Sequence, residues 1–84
     1  MSDATAPGPV TITYWAGAQR AAGRRSEQLN VRTLRELREV LAGRAQLAAL
    51  IGVCSMLVDG RRFADDDALP AGAAVDVLPP FAGG

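Results

Sequence analysis

One stretch of the sequence has the length and pattern of an amphipathic helix, and this helix limits what the rest of the chain can form. Its apolar positions recur at helical spacing and are Leu34, Leu37, Val40 and Leu41. Thr33 is a favourable N-cap, and Glu36 three residues later completes a capping-box pattern. Gly43 is expected to end the helix, and residues 45–51 are expected to add a second short helical turn.

Segments rich in β-branched and aromatic residues lie on both sides of this helix. The predicted strands are residues 10–15 and 26–31 before the helix, and residues 53–58, 61–63 and 75–78 after it. Asp59-Gly60 is a dipeptide typical of tight hairpin turns and separates the third strand from the fourth. Residues 16–25 contain two glycines and three arginines, and we interpret them as a loop.

The predicted order of elements is therefore β-β-α-β-β-β, which is an α+β pattern with one helix long enough to cover a sheet. A helix that crosses between strands, with the first and last strands central and parallel, is the β-grasp arrangement of ubiquitin-like proteins. We expect one β-grasp domain over residues 10–78 in a mixed sheet. Residues 1–9 are expected to be a disordered leader, and residues 79–84 a flexible C-terminal tail.

Alternation along the first and last strands predicts which side chains face the core. Val10, Ile12 and Tyr14 are expected to face inward, which leaves Trp15 on the opposite, uncovered side. Leu78 falls on that same side of the last strand. An exposed apolar pair next to the tail suggests a docking surface for a partner. The alternative is that Trp15 packs locally under the loop of residues 16–25.

The tail has an unusual composition. Its residues are Pro79, Pro80, Phe81, Ala82, Gly83 and Gly84. The two prolines lack an N–H and fix φ, so they are expected to end the strand and hold the tail extended. Phe81 supplies one apolar anchor, and the small residues after it could thread a channel as narrow as a peptide backbone. The alternative interpretation of the two glycines is a frayed terminus.

The composition excludes several classes of function. Nine arginines balance nine acidic residues, which argues against binding to nucleic acid or to an anionic membrane. With one cysteine and no histidine, the chain lacks the usual ligands of a metal site and the usual base of a thiol nucleophile. Cys54 is expected to be a small packed hydrophobe. We therefore expect a cytoplasmic protein that is not catalytic by itself.

Three segments together carry a resemblance to a known family. They are Tyr14-Trp15-Ala16-Gly17-Ala18, Val58-Asp59-Gly60 and the stretch Asp76-Val77-Leu78-Pro79-Pro80-Phe81-Ala82-Gly83-Gly84. They resemble the MoaD/ThiS family of ubiquitin-like sulfur carriers, and within it most closely the small subunits of molybdopterin synthase. The resemblance extends over nearly all of residues 10–84. The Pro-Pro pair is usually missing from the branch that serves thiamine synthesis.

The resemblance implies a function in molybdenum cofactor biosynthesis. An ATP- and magnesium-dependent adenylyltransferase of the MoeB type would adenylate Gly84, and a persulfide sulfur donor would convert it to a thiocarboxylate. A MoaE-like large subunit, in a heterotetramer, would receive the tail and use its sulfur on cyclic pyranopterin monophosphate. The chain itself would bind no cofactor, and the catalytic groups would belong to its partners.

Two other interpretations stay open at this point. The same tail chemistry would suit a sulfur carrier for cysteine or thiamine biosynthesis. A ubiquitin-like interaction module whose Gly-Gly end is never activated, or one that serves as a protein tag, is also compatible with the sequence.

Overall fold

The computed structural model describes residues 8–80, which contain five strands and three helices. The strands are β1 (Val10–Tyr14), β2 (Ser26–Leu29), β3 (Ser55–Val58), β4 (Arg61–Arg62) and β5 (Ala74–Leu78). The helices are α1 (Gly17–Ala22), α2 (Leu34–Ala42) and α3 (Ala45–Ile51). Of the predicted leader, residues 1–7 lie outside the described part of the chain. Pro9 is described, and its C=O accepts a hydrogen bond from the Gly72 N–H at 3.1 Å.

The strands form one mixed sheet in the order β2-β1-β5-β3-β4. β1 and β5 are parallel neighbours, with Thr13 opposite Asp76 and Tyr14 opposite Val77. β1 pairs with β2, and β3 with both β4 and β5, in antiparallel fashion. This is the β-grasp arrangement that the sequence predicted, and it places the strand leading into the tail at the centre of the sheet.

The core lies between one face of the sheet and the helices. Alternation places Val10, Ile12 and Tyr14 of β1 in it, each no more than 1% exposed. Val75 and Val77 of β5 lie beside them and are fully buried. These inward positions confirm the prediction, and the alternate residues of both strands therefore belong to the other face, which we call the open face.

Helix α2 begins as the capping box predicts, with one difference. The Thr33 Oγ1 accepts a hydrogen bond from the Glu36 N–H at 3.1 Å, and the Glu36 carboxylate accepts one from the Arg32 N–H at 2.6 Å. In the usual capping box this carboxylate accepts from the N–H of the N-cap residue, which here is Thr33. The prediction that Val40 belongs to the apolar stripe is wrong, because Val40 is 39% exposed while Leu41 is fully buried.

The interpretation of residues 16–25 as a loop is also wrong, because most of this segment is helix α1. Gly23 ends the helix with a positive φ of 75°, and its N–H donates to the Gln19 C=O at 3.0 Å. Ala18 is fully buried, and Ala21 and Ala22 pack against the core. Three alanines at positions i, i+3 and i+4 are a helical signal that the flanking glycines obscured.

A partly buried polar cluster joins the edge strand β2 to the helices. The Glu27 carboxylate accepts hydrogen bonds from the Tyr14 hydroxyl and from the Arg44 guanidinium, both at 2.5 Å. Arg24 forms a longer ion pair with it, at 3.4 Å. Burial alone would raise the pKa of Glu27, but the hydrogen bonds from Arg44 and Tyr14 outweigh it and lower that pKa below its ordinary value. Burial, followed by the neighbouring carboxylate, raises the pKa of Tyr14.

Candidate functional site

The candidate docking surface lies on the open face, where β1 and β5 end side by side. The Trp15 side chain is 48% exposed, and the backbone N–H of Trp15 donates a hydrogen bond to the Val77 C=O at 3.2 Å. Its indole N–H donates to the Asp76 carboxylate at 3.0 Å. This hydrogen bond joins the Trp15 side chain, at the end of β1, to the neighbouring central strand β5.

Leu78 lies at the same end of the open face as Trp15. The parallel register pairs Tyr14 with Val77, so the next residues, Trp15 and Leu78, are level with each other. Leu78 is half-buried, and Ser55 of β3 lies opposite it on its other side. The two side chains that the sequence singled out are thus neighbours, and Asp76 adds a carboxylate that the sequence analysis did not assign to this surface.

The described part of the tail stays close to the body for one residue longer than expected. We expected both prolines to leave the body of the domain, but Pro79 is buried against it and only Pro80 is exposed. Phe81, Ala82, Gly83 and Gly84 lie outside the described residues, so their assigned roles stay predictions.

Cys54 is the only thiol of the chain, and it lies just before β3. It is 5% exposed and belongs to the hydrophobic core, as expected. Burial raises the pKa of the Cys54 thiol, and the charge of Arg38 opposes this rise. Among residues 8–80, no group of three or more His, Cys, Asp or Glu side chains could hold a metal ion.

Alkylation should show that Cys54 is a packing residue. In the folded protein at pH 8 we expect iodoacetamide to react with this thiol at least about tenfold more slowly than in 6 M guanidinium, because burial lowers both thiolate fraction and access. Intact-protein mass spectrometry over time gives both rates. Equal rates in the two conditions would show an accessible thiol instead.

No helix among residues 8–80 combines the length and the apolar character needed to cross a membrane.

The fold and the open face with its tail define the class of the protein, which is that of ubiquitin-like β-grasp proteins. A family model narrows this class. The model of the ThiS family matches residues 12–84, and the chain belongs to this family.

Solved structures show the same fold. A Pyrococcus furiosus protein assigned as subunit 1 of the molybdopterin converting factor has a TM-score of 0.79 and 22% identity, over 87% of this chain and 98% of its own. SAMP1 from Haloferax volcanii has a TM-score of 0.77 and 24% identity, over 92% and 100% of the two chains. No curated protein matches the sequence.

A third solved structure is that of a complex. It contains subunits 1 and 2 of the molybdopterin-converting factor from Helicobacter pylori, and its matching chain has a TM-score of 0.73 and 22% identity. The match covers 90% of this chain and 99% of that one. At these identities the three structures establish the β-grasp fold and nothing finer.

Proposed function

We propose that this protein is the sulfur carrier of a molybdopterin synthase, with Gly84 as the residue that carries the sulfur. The observation that carries the proposal is the arrangement of Trp15, Asp76 and Leu78 at the end of the strand that continues into the tail. A partner that binds this part of the open face lies next to the point where the chain leaves the sheet, and it can receive residues 81–84 directly.

The chemistry requires activation of the C-terminal carboxylate, because an ionised carboxylate is a poor electrophile. A MoeB-like adenylyltransferase would join the Gly84 carboxylate to AMP and release pyrophosphate from ATP. The terminal sulfur of a persulfide then displaces AMP, and a second thiol cleaves the resulting acyl disulfide to leave the thiocarboxylate. A MoaE-like large subunit would take this sulfur for the dithiolene of molybdopterin.

The tail residues have distinct roles in this proposal. Pro79 anchors the base of the tail against the body, and Pro80 starts it in an extended direction. Phe81 supplies an apolar contact in the partner's channel. Ala82 and Gly83 let the backbone pass where side chains would not.

Intact-protein mass spectrometry tests the proposal. The chain is incubated with ATP, magnesium, its adenylyltransferase and a persulfide donor, and a gain of about 16 Da corresponds to replacement of one oxygen by sulfur. The modified chain should then lose this mass when it is mixed with the large subunit and cyclic pyranopterin monophosphate. An unchanged mass in the presence of an active adenylyltransferase would contradict the proposal.

Replacement of Trp15 should weaken partner binding with little effect on stability. For Trp15→Ala we expect roughly tenfold or weaker affinity for the large subunit, because exposed aromatic anchors dominate such interfaces. The free energy of unfolding should fall by about 1 kcal/mol or less, since Trp15 is half exposed. Titration calorimetry and thermal unfolding measure the two effects.

Val40→Ala is a matched control for this variant, because Val40 is also an exposed apolar residue but lies on α2, away from the open face. It should bind the large subunit as the wild type does. A Trp15→Ala variant that unfolds, or one that binds as tightly as Val40→Ala, would remove Trp15 from the docking surface.

Modification of other proteins is a second candidate function, which the name of the fold relative SAMP1, small archaeal modifier protein 1, suggests. The same Gly84 acyl-adenylate would then react with an amine of a target protein and form an isopeptide bond. Denaturing electrophoresis of cells that express a tagged chain separates the two candidates. Covalent adducts that depend on Gly84 support the modifier, whereas the tagged chain alone, with a thiocarboxylate, supports the sulfur carrier.

A further inference from the structure

The outer edge of β3 lacks a partner over half its length. β4 pairs only with Leu57 and Val58. Ser55 and Met56 pair with β5 on the inner side, and no strand among residues 8–80 covers their outer side. Such an edge presents backbone groups that can pair with another extended segment.

The Met56 N–H is the unpaired donor at this edge. The Asp59 N–H donates to the Ala74 C=O at 2.7 Å, so odd-numbered residues at this end of the sheet direct their backbone groups to β5. Even-numbered residues of β3 therefore direct theirs to the outer side. β4 ends at Arg62, and no carbonyl in the described part of the chain accepts the Met56 N–H. Met56 is only 5% exposed, and unpaired N–H groups at buried residues are rare.

A cavity of about 200 Å³ opens at this edge between β3 and α2, and we call it the β3 groove. Leu34 and Phe63 contribute apolar surface to it, and Arg38 and Arg62 contribute guanidinium groups. Such a groove combines a backbone donor, two cations and a small apolar contribution from its lining. These are the features that recognise an extended peptide with an acidic side chain.

The positive charge of the β3 groove is only partly neutralised. Arg62 makes no ion pair with any of residues 8–80. Arg38 makes a long ion pair with Asp65, at 3.5 Å, and donates to the Ile51 C=O at 3.3 Å. The atom of Arg38 that faces Asp65 is its Nε, which is buried and makes no hydrogen bond at this distance. A carboxylate in the β3 groove would pair with Arg62 and would also be attracted by the charge of Arg38, which lines the same groove.

We propose that the β3 groove binds an extended acidic segment of a partner protein. The segment adds one short strand beside Met56, accepts the hydrogen bond of its N–H, and places a carboxylate between Arg38 and Arg62. Two strand spacings, about 10 Å, separate the outer edge of β3 from β1, which leads into Trp15. A partner can therefore hold the β3 groove while Trp15 and the tail are engaged, and this proposal does not depend on the sulfur chemistry.

The test uses the full chain and a fluorescein-labelled synthetic peptide of sequence Gly-Ile-Asp-Val-Glu-Ile-Gly. We expect the peptide to shift the amide resonances of residues 54–57 in nitrogen-15 NMR spectra and to slow hydrogen exchange at the Met56 N–H. A control peptide with Asn and Gln in place of Asp and Glu should bind about tenfold more weakly, because it lacks the carboxylates.

Two neighbouring arginines supply matched variants. Arg62→Ala should weaken peptide binding about tenfold. Arg61→Ala removes the same charge from the same short strand but does not line the groove, so it should leave the affinity unchanged. Equal losses in the two variants would show non-specific charge attraction and would overturn the proposal. Shifts confined to the other edge strand, β2, would overturn it too.

A chain that lacks residues 81–84 gives a further test. Its Met56 amide resonance should match that of the full chain in the absence of peptide. A different resonance would show that the chain's own C-terminal segment occupies the β3 groove, and the proposal of a partner segment would then be wrong.

Discussion

Deletion of Gly84 is expected to abolish formation of the thiocarboxylate while the domain stays folded. The shortened chain would still end in a carboxylate, but that group would fall about 3.5 Å short of its position in the full chain. Misplacement of a reacting group by as little as 1 Å can reduce a rate about a hundredfold. Mass spectrometry after incubation with ATP, the adenylyltransferase and a persulfide donor should therefore show no gain of about 16 Da.

The deletion should leave the fold intact, because the buried apolar residues that form the core of the described chain lie within residues 10–77. Thermal unfolding is expected to be the same for both chains. Gly83→Val should also block the reaction, since its branched side chain cannot pass a backbone-wide channel. Gly52→Ala is the matched control: a Cβ at Gly52 meets nothing within 4 Å, and its φ of −67° suits any residue. Full sulfur transfer by the deletion variant would contradict the proposed mechanism.

The sheet could be predicted because its signals are local. Alternation along β1 and β5 gave the inward residues, and Asp59-Gly60 gave the turn between β3 and β4. Asp59 and Gly60 do adopt positive φ values of 50° and 79°. Once the strands and this turn are assigned, the apolar face of the sheet and the apolar stripe of α2 can be buried against each other in only a few ways. The β-grasp strand order is one of them.

Two errors of the sequence analysis have physical causes. Helix α1 is short, and flanking glycines suggest a loop, whereas its stability comes from burial of Ala18 against the core. Val40 has helical spacing relative to Leu37, but the buried stripe of α2 is narrower than the spacing suggests. Spacing along the sequence indicates which face a residue lies on, but the width of the buried stripe depends on how the helix packs against its neighbours.

The polar contacts could not be predicted because they join distant parts of the chain. The hydrogen bond from Trp15 to Asp76 crosses two strands that are adjacent only in the folded sheet. Likewise, Glu27 meets Arg44 only because β2 lies at the edge beside the start of α3. In the sequence, nothing distinguishes Asp76, Glu27 and Arg44 from charged residues on a solvated surface.

Glu27→Gln is expected to lower the free energy of unfolding by about 2 kcal/mol at pH 7. Removal of one partner from a fully buried ion pair costs about 3–5 kcal/mol. The loss should be smaller here, because the Arg44 side chain is 36% exposed and water can solvate its charge. The Tyr14 hydroxyl keeps an acceptor in the glutamine amide oxygen. Urea denaturation followed by circular dichroism measures the change. Glu39→Gln is the control, because Glu39 is an exposed residue of α2 that makes no ion pair with any of residues 8–80. It should change the free energy of unfolding by less than about 0.5 kcal/mol.

The pH dependence separates the charge of Glu27 from its packing. Its pKa is lower in the folded protein than its ordinary value of 4.5, so the folded state binds the proton less readily than the unfolded state. The stabilisation is therefore complete above about pH 5 and is lost as the pH falls below 4.5 through the folded pKa. The difference between wild type and Glu27→Gln should shrink over that acid range. A difference that stays constant from pH 7 to pH 3 would show that glutamine disturbs packing, and that the charge of Glu27 does not hold β2 to the helices.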